Sequence, residues 1–189
     1  MHPKIAPVLT AGLIALSALL AGCGTEAPVS ASAQPPHALT SLSGGWQVGA
    51  SDMRDSEGRV FTVCTLQQGK DDGSRFWLAT TAASISRELY IGLRSPALPA
   101  VGGRVPRQAS ILIDGTAFRP ERAQQAGDTL SMVIPAAKTE GFLQAFAKGN
   151  ALVAGADDLP GFSLPVSLQG SANGRREWAK CIEIELKTP

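Results

Sequence analysis

The sequence predicts a mainly β fold, an antiparallel β-sandwich or barrel-like domain with one or two short helices. Short segments rich in β-branched and aromatic residues recur along residues 58–170, and many alternate apolar with polar positions. Aspartate–glycine pairs, typical of tight hairpin turns, follow two of these segments. Helical spacing of apolar residues is clear in one segment and ambiguous in a second. About eight strands with one or two helices favour an antiparallel layered domain.

The first three strands are predicted from "GRVFTVCTL", "RFWLAT" and "ELYIGL", at 58–66, 75–80 and 88–93. Asp72 and Gly73 form a turn signal between the first two. The proline- and glycine-rich stretch that follows, "PALPAVGGRVPR", predicts a loop.

The clearest hairpin is "ASILIDGTAFRPE". Its first strand contains Ile111, Leu112 and Ile113, and Asp114 with Gly115 forms the turn. Both turn residues tolerate positive φ, which a two-residue type I′ turn requires. The next strand, "DTLSMVIP", ends at a proline.

A change of period predicts a helix in "AAKTEGFLQAFAKGN". Phe142, Leu143 and Phe146 lie on one helical face, and Lys148 followed by Gly149 predicts the end. "ALVAGA" and "GFSLPVSLQG" then predict strands. The final stretch, residues 171–189, fits both the helical and the strand period. We expect a short helix there that becomes a last strand at about Cys181.

An apolar run at residues 5–20 precedes Leu20-Ala21-Gly22-Cys23, which has the form of a bacterial lipobox. The run is shorter than the roughly 20 residues that span a bilayer, and no basic residues follow it. We therefore predict a lipoprotein signal peptide at 1–22 and lipidation of Cys23. A free cysteine after an ordinary signal peptide is the alternative. Gly24, where many lipoproteins kept in the inner membrane have aspartate, favours the outer membrane.

Residues 23–44 are small, polar and proline-containing, and we predict a flexible tether there. A single β-rich domain would then occupy 45–189. Without Lys4 of the leader, the mature chain has 16 basic and 16 acidic residues, and its arginines are scattered. This balance argues against a nucleic-acid partner.

Cys64 and Cys181 remain in the domain after Cys23 is assigned to the lipid. Two such cysteines in an exported domain usually pair, so we predict a disulfide between them. Two unpaired buried thiols are the alternative.

The order of several segments resembles the invasion-associated locus B family of small exported proteobacterial proteins. The resemblance rests on Trp46, Cys64, "SILIDG" (110–115), "FLQAFAKGNAL" (142–152), "VSLQGS" (166–171), Trp178 and Cys181. It implies an exported, β-rich, non-enzymatic protein linked to host-cell association. Two features depart from the family pattern: residues 118–128 lack the second cysteine pair of many members, and a lipobox replaces the usual simple signal peptide.

Catalytic signatures are missing from the sequence. Its two histidines, His2 and His37, fall in the leader and the tether, which argues against Ser-His-Asp, Cys-His and histidine-built zinc sites. Nucleophile-elbow, P-loop and dinucleotide-binding motifs are also missing. We expect no enzyme, cofactor or metal, with an enzyme that uses acids, lysine or threonine as the alternative.

Five aspartates at three sites are candidates for chemistry: Asp71 with Asp72, Asp157 with Asp158, and Asp114. Each lies in a turn or loop, where aspartates usually cap backbone amides. The paired acids lack the alternating spacing of a calcium loop, so calcium is the weaker interpretation. For Asp114, the following glycine favours a turn role over catalysis.

Most aromatic residues fit a core. We expect Trp178 to pack on the disulfide, with a groove lined by Glu177 and Trp178 as the alternative. The remaining set is expected to be buried: Phe76, Trp77, Tyr90, Phe142 and Phe146. An exposed member would instead indicate a partner surface.

Together these features predict a non-enzymatic envelope lipoprotein whose disulfide-stapled β domain binds another macromolecule, as in host-cell association. One alternative is a structural or assembly lipoprotein of an envelope machine. Another is a periplasmic inhibitor of a host hydrolase such as lysozyme, acting through the loop at 95–107.

Overall fold

The computed structural model describes residues 39–85 and 87–187. This part of the chain contains twelve strands and two α-helices. In chain order these elements are β1 (Thr40–Ser41), β2 (Trp46–Arg54), β3 (Val60–Gly69), β4 (Arg75–Thr81), β5 (Glu88–Arg94), β6 (Val101–Pro106), β7 (Ala109–Ile113), β8 (Thr116–Phe118), β9 (Arg122–Gly127), β10 (Thr129–Pro135), α1 (Ala136–Lys148), β11 (Ala151–Ala156), β12 (Ser163–Ser167) and α2 (Ser171–Cys181). A 3₁₀ turn (Ser43–Gly45) precedes β2, and a π-helical turn (Ile182–Leu186) follows α2.

The strands form two antiparallel sheets. The larger has the order β1-β2-β3-β4-β5-β10-β9-β6, and the smaller has the order β12-β11-β7-β8. Neither sheet closes on itself within the described residues. The predicted mainly β class is therefore confirmed, and the arrangement is consistent with a β-sandwich rather than the barrel-like alternative.

One hydrophobic core lies between the sheets and the helices. Strand residues alternate between buried and more accessible positions, as in β10, where Leu130, Met132 and Ile134 are fully buried. Helix α1 adds Phe142 and Phe146 to this core, and the Phe146 ring packs edge-on against Trp46 with ring centroids 5.2 Å apart.

Several predicted elements are confirmed. Asp114 and Gly115 have φ values of 45° and 85° and join β7 to β8, as the type I′ prediction requires. Gly73, at φ 83°, lies in the turn between β3 and β4. Helix α1 ends at Lys148, directly before Gly149.

The estimate of about eight strands is wrong, because several strands lie where no strand was predicted. β6 lies within the predicted proline–glycine loop, and it pairs with β9 through a register shift between Val101 and Arg104. The sequence also did not predict strands at β2 and β9, although β2 pairs with β3 along its whole length. These strands are fixed by pairing with distant segments more than by their own composition.

The predicted C-terminal strand is wrong. Helix α2 continues into the π-helical turn instead of extending at Cys181. Ile182 and Leu186 pack against the core, whereas Ile184 is 64% exposed. Residues four apart share a helical side, so Ile182 and Leu186 can both face the core in this turn, whereas Ile184 between them cannot.

Part of the predicted tether is a strand, because Thr40 and Ser41 pair with β2. The rest of that tether, residues 23–38, and the predicted signal peptide, residues 1–22, lie outside the described residues. No helix in the described part of the chain has the length and apolar character needed to cross a membrane.

Candidate partner-binding face

The larger sheet has one face on the core and one face directed away from it. Cross-strand pairing places one set of side chains of β4, β5, β10 and β9 on that second side, which we call the outer face. Helices α1 and α2 pack on the opposite side, since Phe146 contacts Trp46 and Phe76 and Trp178 bonds to Cys64. The outer face consists of Arg75, Trp77, Ala79, Thr81, Glu88, Tyr90, Gly92, Arg94, Arg122, Gln124, Ala126, Thr129, Ser131 and Val133.

Two aromatic residues of the outer face depart from the predicted core set. Tyr90 is 37% exposed, and Trp77 is half-buried. The expectation that both are core residues is therefore wrong, whereas Phe76, Phe142 and Phe146 are buried as expected. Strand alternation explains the difference, because Trp77 and Tyr90 occupy the positions between buried residues of β4 and β5.

The Trp77 ring lies against the backbone of Gly92 on the neighbouring strand. These two residues are cross-strand partners, and a Cβ atom at Gly92 would lie 2.0 Å from the indole ring. Glycine is therefore required for the indole to lie this close to β5. The arrangement fixes the position of the tryptophan on the outer face.

Glu88 connects three groups at one end of this face. It accepts hydrogen bonds from the Tyr90 hydroxyl at Oε1 and from Arg122 Nη2 at Oε2, the latter over 2.6 Å. The hydrogen bond to the Glu88 carboxylate raises the pKa of Tyr90, so the phenol keeps its proton at physiological pH. Both carboxylate oxygens of Glu88 thus have partners.

A groove of about 420 Å³ crosses the outer face beside these residues. We call it the arginine groove; its lining includes Glu88, Tyr90, Arg104, Pro106, Arg122, Gln124, Ser131 and Val133. Arg104 is exposed and forms no salt bridge or side-chain hydrogen bond with any described residue. No carboxylate of the described residues therefore pairs with its positive charge.

A second groove, of about 780 Å³ and more apolar, lies on the other side of Tyr90. Its lining includes Met53, Phe61, Val63 and Leu186, and Tyr90 also contributes to it. The tyrosine is thus a shared wall between a cationic groove and an apolar one.

The predicted disulfide between Cys64 and Cys181 is present, with a Cα–Cα distance of 6.0 Å. Trp178 is only 4% exposed, and its indole donates a hydrogen bond to the Cys64 carbonyl, which confirms its predicted core role. Glu177 instead pairs with Lys180 over 2.8 Å. Cys23, the predicted lipidation site, and both histidines lie outside the described residues.

Four of the five candidate aspartates act as backbone caps or ion-pair partners, and the fifth, Asp71, is exposed with no side-chain partner among the described residues. Asp72 accepts the Ser74 amide, and that bond lowers the pKa of its carboxyl group. Asp114 accepts the amides of Asn150 and Ala151, which lower its pKa and attach the β7–β8 turn to the start of β11. Asp157 bonds the Ser110 hydroxyl over 2.6 Å. Within the described residues, no three His, Cys, Asp or Glu side chains are grouped closely enough to hold a metal ion.

The alternative of a hydrolase inhibitor would act through residues 95–107, and much of this segment packs on the fold. Ser95 and Leu98 are buried, and the segment continues into β6. Arg107 donates to Asp158 over 3.1 Å and to the buried amide of Gln125 over 2.9 Å. Arg104 is the arginine that this segment leaves free, and it faces the arginine groove.

The arginine groove was missed in the sequence because two of its walls belong to β6 and β9, which were not predicted. The alternation in "RAQQAG", where Ala123 and Gln125 face inward between exposed residues, is the signal for β9.

Comparison with known proteins gives no match: the chain matches no protein-family model, no curated protein and no solved structure.

Proposed function

We propose that this protein is a non-enzymatic lipoprotein of the bacterial envelope, lipidated at Cys23, whose β domain binds another macromolecule through the outer face. The observation that carries the proposal is the partial exposure of Tyr90 and Trp77 beside the arginine groove. The lipobox and the family resemblance support the envelope location, and the missing catalytic signatures support a binding role.

The composition of the outer face is typical of a protein interface. Tyrosine, tryptophan and arginine are enriched in interfaces and among the residues that contribute most to binding. Here all three types occur on the outer face: Trp77 and Tyr90 lie on the adjacent strands β4 and β5, and Arg122 lies on β9, with β10 between. The aromatic cluster of Trp46, Phe76 and Phe146 is fully buried, in contrast to Tyr90 and Trp77 on the outer face.

The aromatic side chains are also held in place before any partner binds. Trp77 rests on Gly92, and the Tyr90 hydroxyl bonds to Glu88. Preorganised side chains lose little conformational entropy on association, which increases affinity for a given contact area.

Site-specific photocrosslinking in living cells tests the proposal. A photoreactive residue at Gln124, exposed on the outer face, is compared with one at Lys138, exposed on α1. We expect a discrete covalent adduct from position 124 and none of the same mass from position 138. Adducts from neither position, at a protein level equal to that of the unmodified chain, would contradict the proposal.

The identity of the adduct separates the kinds of partner. A host-cell component supports host association, whereas components of a secretion or conjugation machine support an assembly role. The anchor is tested separately by labelling cells with a palmitate analogue. We expect Cys23→Ser to abolish labelling, and persistent labelling of that variant would show that Cys23 is not the acylated residue.

A further inference from the structure

We propose that the arginine groove binds an extended acidic segment of a partner protein, with a carboxylate at Arg104 and an apolar side chain at Tyr90 and Val133. This inference rests on the proposed function, because it specifies the chemistry of the partner that contacts the outer face.

Charge at one end of the groove supports an acidic ligand. Nearby arginines have carboxylate partners within the domain: Arg94 pairs with Asp128, Arg107 with Asp158, and Arg122 with Glu88. Arg104 has no such partner among the described residues, although it lines the groove. An arginine fork suits a carboxylate because it can donate two parallel hydrogen bonds.

The other end of the groove carries no net charge. Arg122 is neutralised by Glu88, and the Tyr90 hydroxyl is already bonded to the same carboxylate. What remains there for a ligand is the Tyr90 ring and the side chain of its cross-strand partner, Val133. This end therefore suits an apolar side chain.

Strand register fixes the spacing between the two ends. Arg104 is paired with Ala126, and Arg122, which is paired with Val133, lies four residues before Ala126 on the same strand. At about 3.4 Å per residue the two ends are about 14 Å apart along the strands, and the two strand spacings from β6 to β10 add about 10 Å across them, so about 17 Å separates the Cα atoms of Arg104 and Val133. A compact anion reaches only one end, whereas residues i and i+4 of an extended peptide are about 14 Å apart and reach both ends once the side chains of the acid and of Arg104 span the remaining distance.

The same spacing gives a specific recognition pattern. Residues i and i+4 of an extended segment point to the same side. The ligand should therefore present an acid and an apolar residue four positions apart. Gln124 and Ser131, a cross-strand pair between the two ends, offer an amide and a hydroxyl to the peptide backbone.

Peptide titration followed by amide NMR of the mature full chain, kept soluble in detergent, tests this inference. The probes are two capped seven-residue peptides of serine and threonine, with glutamate and leucine at positions 2 and 6 in either order. Two matched peptides replace the glutamate by glutamine. We expect one glutamate peptide to shift the amide resonances of Arg104, Arg122 and Gln124 saturably, and its glutamine counterpart to shift them much less.

Two variants identify the cation involved. Arg104→Gln should weaken binding of the glutamate peptide about fivefold, as expected for an exposed ion pair. Arg75→Gln is the matched control, because Arg75 is also exposed on the outer face without a side-chain partner among the described residues, but four strands away. It should change affinity by less than about twofold.

Three results would overturn the inference: equal binding of the glutamine peptides, equal losses in the two variants, or the same shifts from inorganic phosphate at lower concentration. The last result would indicate a simple anion site. Photocrosslinking at Gln124 distinguishes this failure from failure of the proposed function. Adducts at Gln124 in cells, together with any of these three results, would keep the outer face as an interface but remove the acidic segment.

Discussion

The indole nitrogen of Trp178 donates a hydrogen bond to the backbone carbonyl of Cys64, 2.9 Å away and 114 positions earlier in the chain. Cys64 is also joined covalently to Cys181, which lies one helical turn after the tryptophan. Helix α2 is thus fixed to β3 by a covalent bond and a hydrogen bond that are one turn apart.

Replacement of Trp178 by phenylalanine should destabilise the domain by about 1–3 kcal/mol, because the Cys64 carbonyl loses its buried donor. Urea denaturation measures the change in the free energy of unfolding. Trp77→Phe is the control, since Trp77 is half-buried and donates no side-chain hydrogen bond to another described residue. Equal losses in the two variants would show that ring size, not the hydrogen bond, determines the effect.

Removal of the disulfide should have a larger effect. The double variant Cys64→Ala/Cys181→Ala is expected to lose about 2–5 kcal/mol, because the cross-link restricts the unfolded chain over a sequence separation of 117 residues. Urea denaturation of the native protein with a reductant should give the same midpoint as the double variant. An unchanged midpoint, with both thiols shown by alkylation to be free, would contradict this.

Gly92→Ala should destabilise the domain by about 1–3 kcal/mol, because the added methyl group overlaps the Trp77 ring. The Trp77→Ala background should relieve most of this loss, and a double-mutant cycle measures the coupling. Gly102→Ala is the control, since a Cβ atom there meets no atom within 4 Å and Gly102 does not have positive φ. Additive losses for Gly92→Ala and Trp77→Ala would rule out the proposed contact.

Asp114 should contribute to the loss of stability in acid. Amide donors from Asn150 and Ala151 depress its folded-state pKa, so its contribution is present above the unfolded pKa and is lost as pH falls through the folded pKa. Asp114→Asn keeps the positive φ of the turn and removes the charge. The unfolding free energies of variant and native protein should therefore differ at neutral pH and converge below about pH 4.

Asp71→Asn provides the matched control for that measurement. Asp71 is exposed in the β3–β4 turn, and its side chain has no hydrogen-bond partner in the described structure. Its substitution should leave the difference between neutral and acid stability as it is in the native protein. A similar convergence for both variants would indicate a general charge effect rather than the Asp114 bonds.

Elements with strong local signals could be predicted from the sequence. The turn at Asp114 and Gly115 requires residues that tolerate positive φ, and helix α1 has a clear apolar face through Phe142 and Phe146. Burial of Trp178 beside the disulfide also followed from residue type and context.

The candidate site could not be predicted in the same way. Its groove depends on the pairing of β6 with β9. The buried Gln125 of β9 supports this pairing, because its side-chain amide donates hydrogen bonds to the backbone carbonyls of Pro99 and Gly127. Alternation alone also does not say which face of a sheet is covered. The position of Tyr90 outside the core therefore emerges only when both sheets are placed.

The disulfide makes the stretch from Cys64 to Cys181 a closed covalent ring. A protease that cuts one peptide bond inside this ring opens it without releasing either fragment, and the cut is visible on a gel only after reduction. With the lipid proposed at Cys23, such a nicked domain would stay attached to the membrane. Release of the domain from the cell would instead require cleavage between the lipid and Cys64. Proteolysis of the segment between Cys23 and Cys64, rather than of the ring, would therefore determine whether the domain is retained or released.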